Sequence, residues 1–243
     1  MKKSPYFLQS RLMVHCLPAV AEEACFALKG GTAINFFVRD MPRLSVDIDL
    51  TYLPDDPRDV ALKNISDALE RISQRIQKLI PGSKILKTKP RGEDRVSKVV
   101  VHFKGEQIKV EPNEILRGTV FEVKKRKMVD KAVKEFELSV SLPVLSTNDL
   151  YGGKICAALD RQHPRDIFDM MVLMENEGIT NDIRKAFVVY LASHGRPINE
   201  LIDPTRQDIS TEFAGEFSEM AEDGPTLEKL LEVREQYINQ TLK

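Results

Sequence analysis

Apolar residues Leu12, Cys16, Val20, Ala24 and Ala27 recur at spacings of three and four. That period predicts a helix over Ser10–Leu28, with a kink or break at Pro18, whose ring displaces an intrahelical hydrogen bond. A turn at Lys29–Thr32 follows, then a short helix over Ala33–Val38. Past Asp40-Met41-Pro42 the period changes to two. Val46, Ile48 and Leu50 alternate with Asp47, Asp49 and Thr51, which predicts a strand over Ser45–Tyr52 with one apolar and one polar face. Pro54–Pro57 reads as a loop. Leu62, Ile65, Leu69, Ile72, Ile76 and Leu79 mark one stripe of an amphipathic helix over Val60–Ile80, closed by Pro81-Gly82. Ser97–Phe103 and Gln107–Val110 are rich in β-formers on either side of Lys104-Gly105-Glu106 and predict a hairpin. Leu138–Val144 predicts a short strand. From Ser146 the pattern is helical: Asn148–Gln162, Pro164–Glu177, Asp182–Ser193 and Thr226–Asn239. The expected fold class is α+β. A small mixed sheet with flanking helices fills residues 1–145, and a helical domain fills residues 146–243.

Composition narrows the class without changing it. The chain has 243 residues, 42% hydrophobic and 30% charged, which excludes collagen-like, low-complexity and mostly disordered chains. No apolar run reaches the 18 or so residues a membrane span needs. Gln9, Ser10, Arg11 and His15 interrupt the apolar stretch of a secretory signal, so a cytoplasmic protein is expected. Cys16, Cys25 and Cys156 are widely spaced and read as reduced thiols. No CxxC or zinc-spaced histidine pair occurs, and no structural zinc site is expected. Net charge is −1, but it is unevenly spread: Lys84–Lys134 carries fifteen bases against seven acids, and Asn199–Lys243 eleven acids against four bases. The basic middle either meets a polyanion or is an ordinary solvated surface. Its densest run, Lys124–Lys127, reads as a loop or exposed turn.

Chemistry concentrates in two places. Asp47 and Asp49 leave the same face of the predicted strand. Two adjacent carboxylates repel unless a divalent cation neutralises them, and Mg²⁺ is the hard, oxygen-seeking choice, with Mn²⁺ as an alternative. Upstream lies Gly30-Gly31-Thr32 at a helix start. Glycines permit close backbone approach, helix N-termini bind phosphate, and the Thr32 hydroxyl adds a donor; an ordinary turn with a Thr N-cap is the plainer reading. Further on, Lys154 and Arg161 stand seven residues apart on one predicted helix and share a face, suited to a triphosphate. Asp166 and Asp169 share a face of the next helix, whose first position is Pro164. Asp166 either serves the substrate or complements the helix dipole, Asp160-Arg161 could equally supply an inter-helix salt bridge, and His163 reads as a helix-start residue.

The segments Gly30-Gly31-Thr32-Ala33-Ile34-Asn35 and Arg43-Leu44-Ser45-Val46-Asp47-Ile48-Asp49-Leu50 together resemble the first motif of the AbiEii/AbiGii toxin family, nucleotidyltransferases of the DNA polymerase β-like superfamily. Lys154 to Asp169 resembles the family's downstream K…DR…RD…D motif. The resemblance implies a nucleotidyltransferase-type N-terminal domain whose cleft receives Lys, Arg and Asp side chains from the helical domain. It marks Asp47, Asp49, Lys154 and Asp169 as catalytic, and Gly31, Thr32, Arg43, Ser45, Arg161, Arg165 and Asp166 as nucleotide-binding. It also suggests a third metal carboxylate on a later strand, Glu111, with Glu114 as a nearby competitor. Residues from Ile198 onward carry no recognisable motif.

The implied reaction moves NMP from an NTP to an acceptor hydroxyl. Implied partners are the NTP, a tRNA 3′ end or other RNA, and a winged-helix antitoxin. A protein or small-molecule hydroxyl is an alternative acceptor, and a non-catalytic NTP-binding module an alternative function. A metal-dependent nuclease would also use an acid pair and a lysine, but has no use for a triphosphate cradle.

Overall fold

The computed structural model describes residues 1–241, divided into two compact units, Met1–Leu145 and Ser146–Lys243. The first unit runs α1 (Phe7–Ala21), β1 (Phe26–Lys29), α2 (Gly30–Ala33, continuing as a π-helical turn over Ile34–Val38), β2 (Asp47–Tyr52), α3 (Arg58–Leu79), β3 (Lys84–Thr88), β4 (Lys98–Phe103), β5 (Glu106–Asn113), β6 (Lys124–Lys127), α4 (Asp130–Phe136) and β7 (Ser141–Val144). Its strands form one mixed seven-stranded sheet in the order β3-β4-β5-β2-β1-β7-β6. No helix of the described residues is long and apolar enough to cross a membrane.

Alternation gives the sheet two unlike faces. Ile48 and Leu50 of β2, Val99 and Val101 of β4, Ile108 and Val110 of β5, and Leu28 of β1 are fully buried, and α1 and α3 pack on the sheet. α3 buries Ile65, Leu69, Ile72 and Ile76 as its stripe predicts. Leu79, at its end, is half exposed instead. The buried Glu23, after α1, accepts from Arg71 and Arg75 of α3 at 2.7 and 2.5 Å. Burial alone would raise its carboxyl, and the two guanidiniums outweigh this to hold it lower. The β4–β5 hairpin turns on Lys104 and Gly105, both at positive φ, the two-residue geometry that matches strand twist.

Several expectations need correction. The first helix ends at Ala21 and passes Pro18 without interruption. Phe26–Lys29 is a strand, because a buried apolar tetrapeptide reads equally well in either period until β2 and β7 flank it. Lys124–Lys127 is strand β6, paired with β7 from Lys124↔Val144 to Lys127↔Ser141. Lysine-rich sequence is poor strand former but suits a sheet edge, where charge blocks further pairing. β3, at the other edge, was likewise not predicted.

The second unit is helical: α5 (Thr147–Arg161), α6 (Pro164–Glu175), α7 (Asn181–Ala192), α8 (Ile198–Ile202), α9 (Ser210–Glu212, continuing as a π-helical turn over Phe213–Phe217) and α10 (Leu227–Thr241). Ser146 caps α5, its Oγ accepting from the Asp149 N–H at 3.0 Å. α5 crosses α7 closely because Gly152 has no Cβ: one added there would stand 2.7 Å from the Ala186 Cβ. All three cysteines are free, and burial pushes the Cys16 thiol up to about 12.

Candidate active site

The two halves of the first motif interlock. Gly30 leaves β1 at φ +70°, and a Cβ there would sit 2.2 Å from Asp49 Oδ2. A Cβ on Gly31 would meet Arg43 Nη2 at 2.7 Å and Ser45 Oγ at 3.2 Å. Thr32, only 1% exposed, places Oγ1 2.5 Å from the Asp47 carbonyl and 2.9 Å from Ser45 Oγ. A carbonyl can only accept, so the single Thr32 proton goes to Asp47 and the Ser45 hydroxyl donates to Thr32. Buried Arg43 donates from Nη1 to the Leu44 carbonyl at 2.8 Å. Each early motif residue thus receives a later one. The Thr32 hydroxyl was expected to be a spare phosphate donor or an N-cap; its proton is used inside the motif, and the N-cap is Lys29.

Asp47 and Asp49 start β2, half-buried and on the face opposite Ile48 and Leu50. In register, Asp49 stands beside Glu111 of β5 and Lys29 of β1, and Asp47 beside Lys109 of β5. Adjacent strands lie about 4.8 Å apart, so these side chains form two short rows on one face. Glu111 is engaged: its Oε1 lies 2.5 Å from Lys98 Nζ of β4. Glu114, the competing carboxylate, lies beyond the end of β5 and pairs with Arg95.

Among the described residues no group of three or more His, Cys, Asp or Glu side chains is gathered to hold a metal ion. Mg²⁺ does not require one, since it is commonly bound by one or two carboxylates plus substrate phosphates and water. Asp47 and Asp49 fit that description.

Alanine at Gly30 tests the interlock. Left-handed φ costs a non-glycine residue about 1–2 kcal/mol, and the new methyl must displace the Asp49 carboxylate. Gly30→Ala is expected to lose both stability and activity. Gly92→Ala is the control: Gly92 has φ +79° with nothing within 4 Å of its would-be Cβ, so it should lose comparable stability and keep activity. Thermal melts and activity measurements on the two variants separate strain from displacement.

The second motif forms a buried ionic cluster within the helical unit. Gln162 closes α5 at φ 48°, and Pro164 opens α6 with His163 as N-cap, its Nδ1 accepting from the Arg165 N–H at 3.1 Å. This reversal lays the first turns of α6 along the end of α5. Lys154 Nζ, 6% exposed, donates to Asp166 Oδ1 at 2.8 Å and lies 3.0 Å from Asp169 Oδ2; both carboxylates are buried. The more exposed Arg161 donates from Nε to Asp166 Oδ2 at 2.5 Å. Asp166 is therefore an ion-pair centre in the first turn of α6, where its charge also complements the helix dipole; the N-cap is His163. The Arg161–Asp166 pair is the inter-helix salt bridge expected of Asp160-Arg161, and Asp160 pairs with Arg196 at 2.6 Å. Arg165 Nη2 and His163 Nε2 lie 3.7 and 3.0 Å from Glu216.

Burial alone would raise the Asp166 carboxyl. Lys154 and Arg161 overcome it and hold the group well below the usual carboxylate range. A carboxyl depressed in the folded state adds stability that is complete above its unfolded value, near 3.9, and is lost as pH falls toward the folded one. Asp166→Asn is expected to flatten the acid limb of the stability profile below about pH 4 and leave its slope near pH 7 unchanged, as denaturant titrations across pH would show.

The sequence pointed to both motifs but not to their internal partners. Lys98, Lys109 and Lys29 join the picture only through strand register.

A family model described as the nucleotidyl transferase AbiEii toxin of type IV toxin–antitoxin systems matches residues 11–237. It thus extends through most of the C-terminal segment in which no motif was recognised. No curated protein matches the chain in sequence. The fold is similar to that of MenT4, a nucleotidyltransferase toxin from Mycobacterium tuberculosis, with a TM-score of 0.66 and 16% identity over 95% of this chain and 82% of that one. The chain belongs to the AbiEii family of nucleotidyltransferase toxins.

Proposed function

We propose that the protein transfers a nucleoside monophosphate from an NTP to the 3′ end of a tRNA, with Mg²⁺ as cofactor and loss of translation as the consequence. The observation that carries this reading is the Asp47–Asp49 pair, seated at the start of β2 against the Gly30 backbone and beside Glu111. Bound between these carboxylates, Mg²⁺ (or Mn²⁺) would supply charge neutralisation for the triphosphate and its transition state. Asp47 and Asp49 provide its oxygens, and Glu111 joins them once Lys98 releases it. Gly31, Thr32, Arg43 and Ser45 hold the carboxylate strand in place and remain the proposed nucleotide-binding turn. In the reaction an acceptor hydroxyl attacks the α-phosphorus in line, a new P–O bond forms and pyrophosphate leaves. Lys154, Arg161, Arg165, Asp166 and Asp169 are retained as substrate groups on the strength of their motif, with Lys154 and Asp169 as the essential pair. Family membership implies a cognate antitoxin, and the resemblance suggests a winged-helix form for it.

The test is incubation of total RNA with the protein and each NTP in turn, followed by mass spectrometry and a pyrophosphate assay. The expected result is a mass increment of one or more nucleotides on tRNA with stoichiometric pyrophosphate. Label on protein or on a small molecule instead would move the acceptor to that class. NTP binding without pyrophosphate release would identify a non-catalytic module.

A further inference from the structure

We propose that Lys109 is a phosphate-binding residue of this site, contacting an oxyanion of the substrate beside Asp47. The inference rests on the nucleotidyl-transfer reading and names a residue that neither motif contains.

Three observations carry it. The first is position. Ile108 and Val110 are fully buried on one sheet face, so alternation turns Lys109 to the other, and the β2–β5 register sets it directly beside Asp47. The second is freedom. Lys109 is half-buried, yet its side chain makes no hydrogen bond or ion pair among the described residues. Its neighbour Lys98, from the next strand of the same face, is already committed to Glu111.

The third is charge balance. Glu111 and Lys98 cancel. Asp47 and Asp49 cancel against one divalent cation. Lys109 then remains, together with Lys29 beside Asp49, as surplus positive charge on this face. A triphosphate or a polynucleotide backbone is the anion such a surplus fits, and a lysine on a flexible four-carbon stem acts toward it as a point charge.

Phosphate oxygens reach the site from two sources, the NTP and the backbone of an RNA acceptor. The experiment separates them. Lys109→Met keeps the stem and removes the charge; Lys109→Arg keeps the charge. Initial rates are measured against NTP at fixed acceptor and against acceptor at fixed NTP, with thermal melts to establish folding. Binding of ATP and of inorganic pyrophosphate in the presence of Mg²⁺ is measured by calorimetry without turnover.

If Lys109 meets the triphosphate, Lys109→Met raises the KM for NTP about tenfold, weakens pyrophosphate binding similarly and changes kcat less, and Lys109→Arg restores most of the loss. If it meets the acceptor backbone, the KM for RNA rises instead and its salt dependence becomes shallower. Unchanged KM for both substrates, with unchanged pyrophosphate affinity, overturns the proposal. Absence of transfer by the unaltered protein overturns the functional reading but leaves the calorimetric comparison to decide Lys109.

Discussion

Exchanging Asp49 for asparagine should slow nucleotidyl transfer about a thousandfold while leaving the fold intact. Asparagine has the size of aspartate and keeps one carbonyl oxygen, so the pocket over Gly30 remains filled. The loss is one negative charge from a two-carboxylate site. With each factor of ten in rate worth about 1.36 kcal/mol, a thousandfold drop corresponds to about 4 kcal/mol of transition-state stabilisation, within the several kcal/mol that a bound metal ion contributes. Asp47→Asn should behave alike, since its backbone carbonyl, not its carboxylate, holds Thr32. The measurement is incorporation of labelled NTP into RNA, with melting temperature alongside. Transfer by Asp49→Asn within tenfold of the unaltered rate would remove the carboxylate pair from the reaction.

The two carboxylates were legible in the sequence because a strand of period two advertises its faces. Val46, Ile48 and Leu50 fix the orientation of Asp47 and Asp49 without any knowledge of the neighbours. The long stripe of α3 and the Lys104-Gly105 turn are local in the same sense. What was not legible depends on pairing at a distance. β6 is a strand because β7, more than ten residues downstream, pairs with it; its own sequence argues against it. Thr32 looked like a phosphate donor until Ser45 and Asp47 were brought to its hydroxyl by the return of the chain. The Glu111–Lys98 pair requires the β4–β5 register together with alternation. Lys154 reads in the sequence as a helix-face cation suited to a triphosphate. Its burial between two aspartates follows from the α5–α6 reversal, which Gln162 produces in a backbone conformation that its residue type does not announce.

Lys154→Met should destabilise the helical unit by about 3–5 kcal/mol, the usual cost of leaving a buried ion pair with one partner. The ammonium lies between Asp166 and Asp169. Arg161 still reaches Asp166, while Asp169 loses the ammonium 3.0 Å from its Oδ2. For a unit of this size the shift is more than about 10 °C in melting temperature. Loss of activity in that variant would therefore say nothing about catalysis by itself. The double variant Lys154→Met/Asp169→Leu supplies the separation: replacing both charges by apolar groups of similar volume is often neutral or stabilising, so most of the lost stability should return. A strong coupling energy between the two positions in this cycle is the expected result. If the refolded double variant still transfers no nucleotide, Lys154 and Asp169 act in the reaction as their motif implies. If transfer returns with stability, the pair is a structural element of α5 and α6, and the catalytic burden rests on the carboxylates of β2.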